Sequence, residues 1–262
     1  MREQRLVFGE VAELYDSVRA GYPDALVDDV ISFTGTDGPD LRAVEVGAGT
    51  GKATVSFAAR GLEIVAIEPS PDMAAVARRN CAQFSRVRIE ETSFEDWPAP
   101  AGAFGLVYSA QAWHWVSPEV RDQKAARALA PGGALAMFWH RVRWQPGPLH
   151  DDLERLYQRL VPDLLVQEPT FPGLGPNPGD DLVASEIRRT GLFTDETMRA
   201  YSWPATFTAD SYTDLLMTQS GHRMLPEERS AEVLSGVRDI IAAHGGQIEI
   251  PHATLLAMAR RA

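Results

Sequence analysis

The chain is poor in cysteine, since Cys81 is the only one among its 262 residues. An intrachain disulfide framework and a Cys-x-x-Cys zinc site both need at least two cysteines, so the sequence excludes both. The length makes covalent links unnecessary, because a chain of this size can bury a full apolar core. We therefore expect one globular domain over residues 1–262, with an inert Cys81 thiol.

Long apolar runs are also missing from the sequence. No stretch approaches the roughly 20 apolar residues that a membrane-spanning helix needs. Residues 1–5 lead into charged, helix-forming sequence rather than into a signal peptide. These two observations predict a cytoplasmic protein that has no membrane partner.

Positive charge is scarce relative to negative charge. The chain has 25 Lys and Arg residues against 36 Asp and Glu residues, which gives a formal net charge of −11 at pH 7. Nucleic-acid binding depends on neutralisation of phosphates by basic side chains. The charge balance therefore argues against a nucleic acid and favours a small-molecule partner, while it leaves the oligomeric state open.

The most informative segment spans residues 43–54, where an apolar strand runs directly into a turn with glycines at 47, 49 and 51. Glycine adopts positive φ readily and leaves no Cβ between the backbone and a ligand. The residues that follow are able to open a helix whose first N–H groups point back at the turn. The segment therefore predicts a nucleotide-like ligand bound against the backbone.

The spacing of the glycines separates the ligand classes that use such a turn. A phosphate-binding P-loop needs four residues between its glycines, whereas Gly47 and Gly51 enclose three. It also needs Ser or Thr after its lysine, and Ala53 follows Lys52 here. The dinucleotide fingerprint Gly-x-Gly-x-x-Gly is matched only in part, because Lys52 replaces its third glycine. The P-loop is excluded, and an NAD-linked oxidoreductase stays as a weaker alternative, since Glu45 would repel a pyrophosphate.

Strands and helices alternate along the first 140 residues. The hydrophobic patterns predict strands at 43–46, 64–67, 87–89, 106–109 and 134–138, and helices at 8–15, 23–33, 52–60, 71–80 and 117–129. Short crossovers of this kind build a right-handed, doubly wound parallel sheet. A ligand of such a sheet lies beyond the carboxyl ends of its strands.

Several segments, in order along the chain, resemble the class I (Rossmann-like) S-adenosylmethionine-dependent methyltransferases, in the branch that acts on small molecules. The segment Glu45-x-Gly47-x-Gly49-x-Gly51 resembles their cofactor loop, and residues 66–70 and 129–133 resemble later family segments. The resemblance implies an α/β fold with a seven-stranded sheet, an antiparallel last strand, helices on both faces and helical lid insertions. It also predicts strands at 197–207 and 247–259, with two helices between them.

The resemblance implies that S-adenosyl-L-methionine is the cofactor. Glu68 is expected to accept both ribose hydroxyls, and Met73 to lie over the adenine ring. Residues 93–98 resemble the segment that contacts the adenine edge, although Ser93 stands where the family often has a carboxylate. The residues assigned to the cofactor are Glu45, Gly47, Ala48, Gly49, Gly51, Glu68, Pro69, Met73, Ser93, Phe94, Ala110 and Gln111.

Three segments are additional to the minimal fold. Residues 1–33 are predicted to form lid helices, 141–190 a substrate cover, and 208–245 a helical insertion between the last two strands. The second segment contains an amphipathic run at 149–165 and a Pro- and Gly-rich stretch at 169–179. A functional cover and a solvated insertion that touches nothing are equal alternatives for it.

Methyl transfer mainly requires that a nucleophile lie in line with an already activated methyl group. A base is needed only when the acceptor arrives protonated, and imidazole suits that task near neutral pH. His114 follows the fourth strand and His140 the fifth, so both are candidate bases, with local hydrogen bonding as the alternative. Tyr15 is predicted to close over the methionine part of the cofactor.

Acceptor contacts are predicted from aromatic and basic side chains. The candidates are Tyr22, Trp113, Trp139, His222 and Arg223, and further aromatic residues near them are Trp115, Trp144, Trp203 and Phe171. Aromatic rings suit an aromatic or cationic acceptor, although core packing is the simpler explanation for most of them. An arginine suits a carboxylate, with a surface ion pair as the favoured alternative.

Two questions stay open at this point. The sequence does not distinguish oxygen, nitrogen and carbon acceptors, and it allows a non-catalytic S-adenosylmethionine-binding regulatory protein. The neighbouring carboxylates Asp151 and Asp152 invite a metal site, but adjacent helical side chains diverge by about 100°. They also lack nearby histidine ligands in this interpretation. We therefore predict no metal, and a capping or solvated role for both.

Overall fold

The computed structural model describes residues 11–167 and 190–262. Phe171 and the Pro- and Gly-rich stretch at 169–179 lie outside the described residues, as does the start of the predicted helix at 8–15. The described strands are β1 (Arg42–Val46), β2 (Glu63–Ile67), β3 (Val87–Glu90), β4 (Phe104–Ala110), β5 (Leu129–Val142), β6 (Phe193–Thr208) and β7 (Gln247–Arg261). The described helices are α1 (Ala12–Val18), α2 (Asp24–Thr34), α3 (Lys52–Ala58), α4 (Pro71–Asn80), α5 (Pro118–Ala128), α6 (Pro148–Leu160), α7 (Pro162–Gln167), α8 (Ala209–Met217), α9 (Ser220–Arg223) and α10 (Glu227–Ala243).

The strands form one seven-stranded sheet with the order β3-β2-β1-β4-β5-β7-β6. The first five strands pair in parallel, with Val44 opposite Val65 on one side and opposite Val107 on the other. The last strand is antiparallel, and helices surround the sheet. The predicted α/β fold with a doubly wound, Rossmann-like sheet is therefore confirmed.

Side chains that alternate along the strands separate two apolar clusters. Val44 and Val46 belong to one cluster, whereas Ala43 belongs to the other. Successive side chains of a strand point to opposite faces, so the two clusters cover the two faces of the sheet. Strands buried on both faces read as nearly continuous apolar runs, which is why β1, β2 and β4 were predictable.

The fifth strand begins earlier than predicted. It starts at Leu129, which pairs with Phe104, whereas Ala134 already pairs with Leu106. The residues between form an irregularity of the ladder in which Gly132 has φ of +73°. The segment 131–133 therefore bends the strand without ending it, and the predicted turn before a strand at 134 is wrong.

Helix α4 has clear local signals and sets the position of the residues before it. The Ser70 hydroxyl accepts a hydrogen bond from Met73 N, and Pro71 occupies the first helical position. Asp72 lies in the first turn, where a negative charge is favourable. This start fixes where β2 ends, and therefore where Glu68 lies.

Two of the predicted helical segments are divided differently in the structure. Pro162 lacks an N–H group and begins α7, so the amphipathic run at 149–165 forms two helices. Between β6 and β7 there are three helices where two were predicted, because the four-residue α9 lies between α8 and α10. No described helix is both long and apolar enough to cross a membrane.

The residue contacts divide the described chain into two compact units. The sheet unit comprises 20–139, 190–201 and 254–262, and the helical unit comprises 11–19, 140–167 and 202–253. The helical unit has its own apolar core, in which Tyr157 from α6, Leu216 from α8 and Val237 from α10 are fully buried. Each unit therefore has a core that is built from its own residues.

Candidate functional site

The glycine turn connects β1 to α3 in the sheet unit. Its glycines have φ of +72° at Gly47, +58° at Gly49 and +84° at Gly51, a region that L side chains rarely adopt. Gly47 N and Ala48 N both donate to the carbonyl oxygen of Ile67, each at 2.9 Å. The turn is thereby tied to the end of the neighbouring strand β2.

The three glycines differ in the space around them. A Cβ on Gly47 would lie 2.4 Å from the Cβ of Ala112, and one on Gly51 would lie 3.3 Å from Cys81 Sγ. A Cβ on Gly49 would meet no protein atom within 4 Å. Packing therefore requires glycine at 47 and restricts 51, whereas Gly49 leaves open space at the backbone.

Glu68 lies beside that open space at the carboxyl end of β2. Its Oε2 accepts from Gly49 N at 2.8 Å, and its Oε1 accepts from Ser70 N at 2.9 Å. The residue is only 7% exposed, and burial raises the pKa of its carboxyl while the two backbone bonds oppose the rise. Each carboxylate oxygen has two lone-pair sites, so both oxygens retain capacity for a further donor.

Glu45 forms a second buried carboxyl group in the same unit. Its Oε2 accepts from Thr54 Oγ1 at 2.5 Å and from Tyr108 Oη at 2.9 Å, and the residue is 1% exposed. Among the described residues, its Oε1 has no hydrogen-bond partner. Burial raises the pKa of this carboxyl to about 7. A carboxyl that is partly neutral near pH 7 repels a pyrophosphate less than the full negative charge expected from the sequence.

The other predicted cofactor residues lie along the same edge of the sheet or just after it. Pro69 lies between Glu68 and Ser70 in the chain. Met73 is buried in the first turn of α4. Ser93 Oγ donates to Asp96 Oδ2 at 2.7 Å and so organises the turn after β3. Phe94 is buried in the sheet core, with its ring 6.0 Å from that of Trp97.

The segment after β4 has an unusual backbone. Gln111 follows Ala110 with φ of +59°, and its N–H donates to Phe138 O at 2.9 Å. A non-glycine residue in this region costs free energy and is frequent at functional sites. Trp113 is buried in the sheet core, whereas His114 is exposed with its ring 4.8 Å from that of Trp115.

Two predicted acceptor residues of the sheet unit contact its core. Tyr22 places its ring edge-on to Phe138, with 4.8 Å between the centroids. Trp139 is buried in the core cluster that also contains Trp113. Core packing thus accounts for the burial of these side chains, and their predicted contact with an acceptor stays a prediction.

The remaining predicted residues belong to the helical unit. Tyr15 lies on α1, with the Arg19 guanidinium 5.1 Å from its ring centroid. His140 lies within β5 rather than after it as predicted, because the strand continues to Val142, and its ring meets the Trp203 ring edge-on at 5.2 Å. Arg223 ends the short helix α9, where it follows His222. The described structure therefore joins Gly49 to Glu68 by a hydrogen bond, whereas the catalytic candidates His114 and His140 belong to different units.

His222 is a buried histidine at the centre of the helical unit. It is 3% exposed, and its Nε2 lies 2.7 Å from Tyr157 Oη. Among the described residues, its Nδ1 has no hydrogen-bond partner. Burial, with a smaller contribution from the Arg19 charge, lowers the pKa of His222 to about 4. The imidazole is therefore neutral near pH 7.

Several polar partners were not predicted from the sequence. Thr54 and Tyr108 hold Glu45, and Tyr157 holds His222. The alternation of β4 gave a usable signal for Tyr108, because it shares a sheet face with Glu45 on the adjacent strand. Tyr157 gave none, since it is separated from His222 by 65 residues.

The acidic residues of α6 do have histidine neighbours, contrary to expectation. His150 Nδ1 lies 3.4 Å from Asp151 Oδ1, and His244 Nε2 lies 2.8 Å from Asp152 Oδ2. Potential ligand atoms of His150, Asp151 and Glu154 lie within 4.8 Å of one another. Asp152 is bound by His244 and Arg155, which differs from the predicted capping or solvated role for that residue.

The comparisons with known proteins agree with this geometry. A family model described as a methyltransferase domain matches residues 43–133, which lie within the sheet unit and include the glycine turn and Glu68. An uncharacterized methyltransferase of Mycobacterium tuberculosis is 27% identical over 243 residues, which are 93% of this chain and 88% of that protein. The likeness to this relative therefore extends through both units.

Solved structures share the fold at low identity. A type II methyltransferase candidate from Anaeromyxobacter dehalogenans has a TM-score of 0.63 at 20% identity and covers 92% of this chain and 97% of its own. Phosphoethanolamine N-methyltransferase 2 from Haemonchus contortus, solved with phosphomonomethylethanolamine and S-adenosylhomocysteine, has a TM-score of 0.58 at 15% identity. That match covers 100% of this chain and 60% of the other. At these identities the likeness establishes the fold alone.

Proposed function

Because the chain belongs to the class I S-adenosylmethionine-dependent methyltransferases, we propose that it transfers a methyl group from S-adenosyl-L-methionine to a small-molecule acceptor. The cofactor binds at the glycine turn, beside Glu68. The observation that carries this proposal is the Glu68 carboxylate, fixed 2.8 Å from Gly49 N next to a glycine with open space.

The residues present fit the cofactor chemically. The ribose of the cofactor carries two neighbouring hydroxyls, and Glu68 offers two fixed carboxylate oxygens that each have a lone pair to spare. Gly49 allows close approach to the backbone. Glu45 has a buried oxygen without a described partner. A ligand that brings donors and lies against the turn satisfies all three features.

The cofactor, when bound, supplies a methyl group that its sulfonium has already activated. The chain then has to bind the cofactor, orient the acceptor and exclude competing water, and such positioning is worth up to about 7 to 11 kcal/mol in the best models. The backbone bonds of Glu68 serve this purpose, because they hold the carboxylate in one orientation before the ligand arrives.

His114 is the favoured base if the acceptor carries a proton at the reacting atom. It is exposed in the segment that follows β4, at the carboxyl edge of the sheet. We expect His114→Ala to lower turnover while cofactor affinity is unchanged. A loss of both in equal measure would instead indicate damage to the fold, and unchanged turnover would remove His114 from catalysis.

Calorimetric titration with S-adenosylmethionine, S-adenosylhomocysteine and NAD tests the ligand class before an acceptor is known. We expect micromolar binding of the two methionine derivatives and none of NAD. Binding of NAD alone would overturn the proposal in favour of an oxidoreductase. Cofactor binding without turnover in a broad acceptor screen would favour the non-catalytic regulatory alternative.

A further inference from the structure

The helical unit contains a buried polar cluster that the proposed cofactor site does not use. We define it by four residues on four elements or their ends: Arg19 after α1, Tyr157 on α6, Thr218 after α8 and His222 on α9. Tyr157, Thr218 and His222 are all buried. A set of polar side chains inside an otherwise apolar core needs a chemical reason, because each one loses hydration on folding.

Among the described residues, the ring of His222 is hydrogen-bonded at one nitrogen only. Burial raises the pKa of Tyr157, so its hydroxyl keeps its proton, and we assign it as the donor to His222 Nε2 at 2.7 Å. A neutral imidazole that accepts at one nitrogen donates at the other. His222 Nδ1–H is then a buried donor, and no acceptor for it exists among the described residues.

The Arg19 side chain is hydrogen-bonded to Thr218. Its Nε donates to Thr218 Oγ1 at 2.8 Å and one terminal nitrogen donates to Thr218 O at 3.0 Å. Both acceptors are neutral, and Arg19 forms no ion pair with a carboxylate of residues 11–167 or 190–262. The half-buried guanidinium is therefore held by the neutral acceptors of Thr218 and by the Tyr15 ring, and it lies near enough to lower the pKa of His222.

A positively charged fork and a buried neutral donor together match a carboxylate. Guanidinium recognises the planar carboxylate with parallel hydrogen bonds, and a second donor completes the shell of its oxygens. One guanidinium matches the single negative charge of a carboxylate, whereas a phosphate group carries about −1.5 to −2 at pH 7. We propose that Arg19 and His222 Nδ1 bind the carboxylate group of a small ligand within the helical unit.

The test is long-range proton–nitrogen NMR of the histidine rings in the full-length ¹⁵N-labelled protein. Sodium acetate, benzoate and inorganic phosphate are titrated separately at constant ionic strength. We expect saturable shifts of the His222 Nδ1 resonance with the two carboxylates. Absence of a shift, a shift that does not saturate, or a response to phosphate alone would each overturn the proposal.

Matched variants show whether Arg19 is responsible. Arg19→Gln is expected to raise the apparent dissociation constant for benzoate about tenfold or more, because it removes a charge-assisted hydrogen bond. Arg229→Gln is the control, since Arg229 is exposed and pairs with Glu232. Equal weakening in both variants would refute the role of Arg19. If Arg19→Gln does not fold, Arg19→Lys replaces it, and retains the charge but loses the fork.

The same protein separates this proposal from the proposed function. Binding of S-adenosylhomocysteine by calorimetry, together with a His222 resonance that no carboxylate shifts, refutes the carboxylate site and leaves the methyltransferase assignment intact. A saturable shift with carboxylates, without binding of S-adenosylhomocysteine, refutes the methyltransferase assignment and leaves the carboxylate site intact.

Discussion

Glu45 in the sheet unit and His222 in the helical unit are both buried, and burial shifts their pKa values in opposite directions. In the sheet unit, burial raises the pKa of Glu45 to about 7, and in the helical unit burial lowers that of His222 to about 4. Each bonds through one atom and leaves the other without a described partner. Side chains bind both groups: Thr54 and Tyr108 bind Glu45, and Tyr157 binds His222.

The glycine turn of the sheet unit and the polar cluster of the helical unit are held together by different kinds of contact. In the sheet unit the turn is held by backbone bonds to Ile67 and by the close approach of Ala112, so its shape is built before any ligand binds. In the helical unit the cluster is held by side chains from separate helices. The first should therefore be sensitive to backbone changes, and the second to changes of hydrogen-bonding groups.

The largest effect is expected from Gly47→Ala, which tests the backbone half of the comparison. The new Cβ would lie 2.4 Å from Ala112 Cβ at a positive φ. Left-handed strain and overpacking together cost about 2 to 5 kcal/mol. Thermal unfolding measures that loss.

The matched control for that prediction is Gly49→Ala, which meets no protein atom. It should lose only about 1 to 2 kcal/mol of stability from backbone strain, yet it should lose cofactor affinity because its methyl enters the ligand space. Equal destabilisation by the two variants would break the distinction between a packed and an open glycine.

The second prediction uses the pH dependence of stability in the sheet unit. The raised pKa of Glu45 means that the folded state holds a proton that the unfolded state releases above pH 4.5. This contribution is fully present below that pH and is lost as the pH rises through 7, by about 2 to 3 kcal/mol between pH 5 and pH 8. In urea unfolding, the free energy of wild type minus that of Glu45→Gln should fall by this amount between pH 5 and pH 8, and parallel profiles of the two proteins would contradict the prediction.

The third prediction concerns the pH dependence of stability in the helical unit, which should have the opposite sign. Because the pKa of His222 is lowered, the unfolded state binds a proton below pH 6.5, whereas the folded state binds it only below about pH 4. Stability should therefore fall by about 2 kcal/mol between pH 8 and pH 5 on account of this residue. His222→Gln should remove that slope in urea unfolding. If His222→Gln loses as much stability as wild type between pH 8 and pH 5, His222 is not the cause of that loss.

The smallest effect is expected for cofactor affinity in Glu68→Gln. The amide would face Gly49 N or Ser70 N with a donor where the carboxylate offers an acceptor, so binding should weaken about tenfold or more. Glu63→Gln is the control at the exposed start of β2, where Glu63 pairs with Arg42. Calorimetry that finds equal affinities for Glu68→Gln and wild type would show that Glu68 does not contact the ligand.

The sequence predicts the sheet unit better than the helical unit for a physical reason. The apolar runs of β1 and β2 and the helix start at Ser70 are local patterns, and they place the glycine turn and Glu68 correctly. The start of β5 differs from the prediction because residues 131–133 favour a turn in isolation, whereas pairing with β4 keeps them in the strand. Local preference gives way there to the hydrogen bonds of the sheet.

The helical unit depends on contacts that no local pattern records. Pro162 divides the amphipathic run into two helices, which a proline rule would have found. The bond between Tyr157 and His222, and those from Arg19 to Thr218, join residues far apart in the chain. His222 was predicted to bind an acceptor, but its neutral charge and its partner emerge only when the helices are packed.

The central claim is that the glycine turn and Glu68 bind the methyl donor, and a crystal structure with S-adenosylhomocysteine tests it most directly. We expect electron density for the ligand against Gly49, with both Glu68 carboxylate oxygens about 3 Å from the ribose hydroxyls. Density for the ligand elsewhere, or a Glu68 carboxylate that contacts neither hydroxyl, would contradict the account.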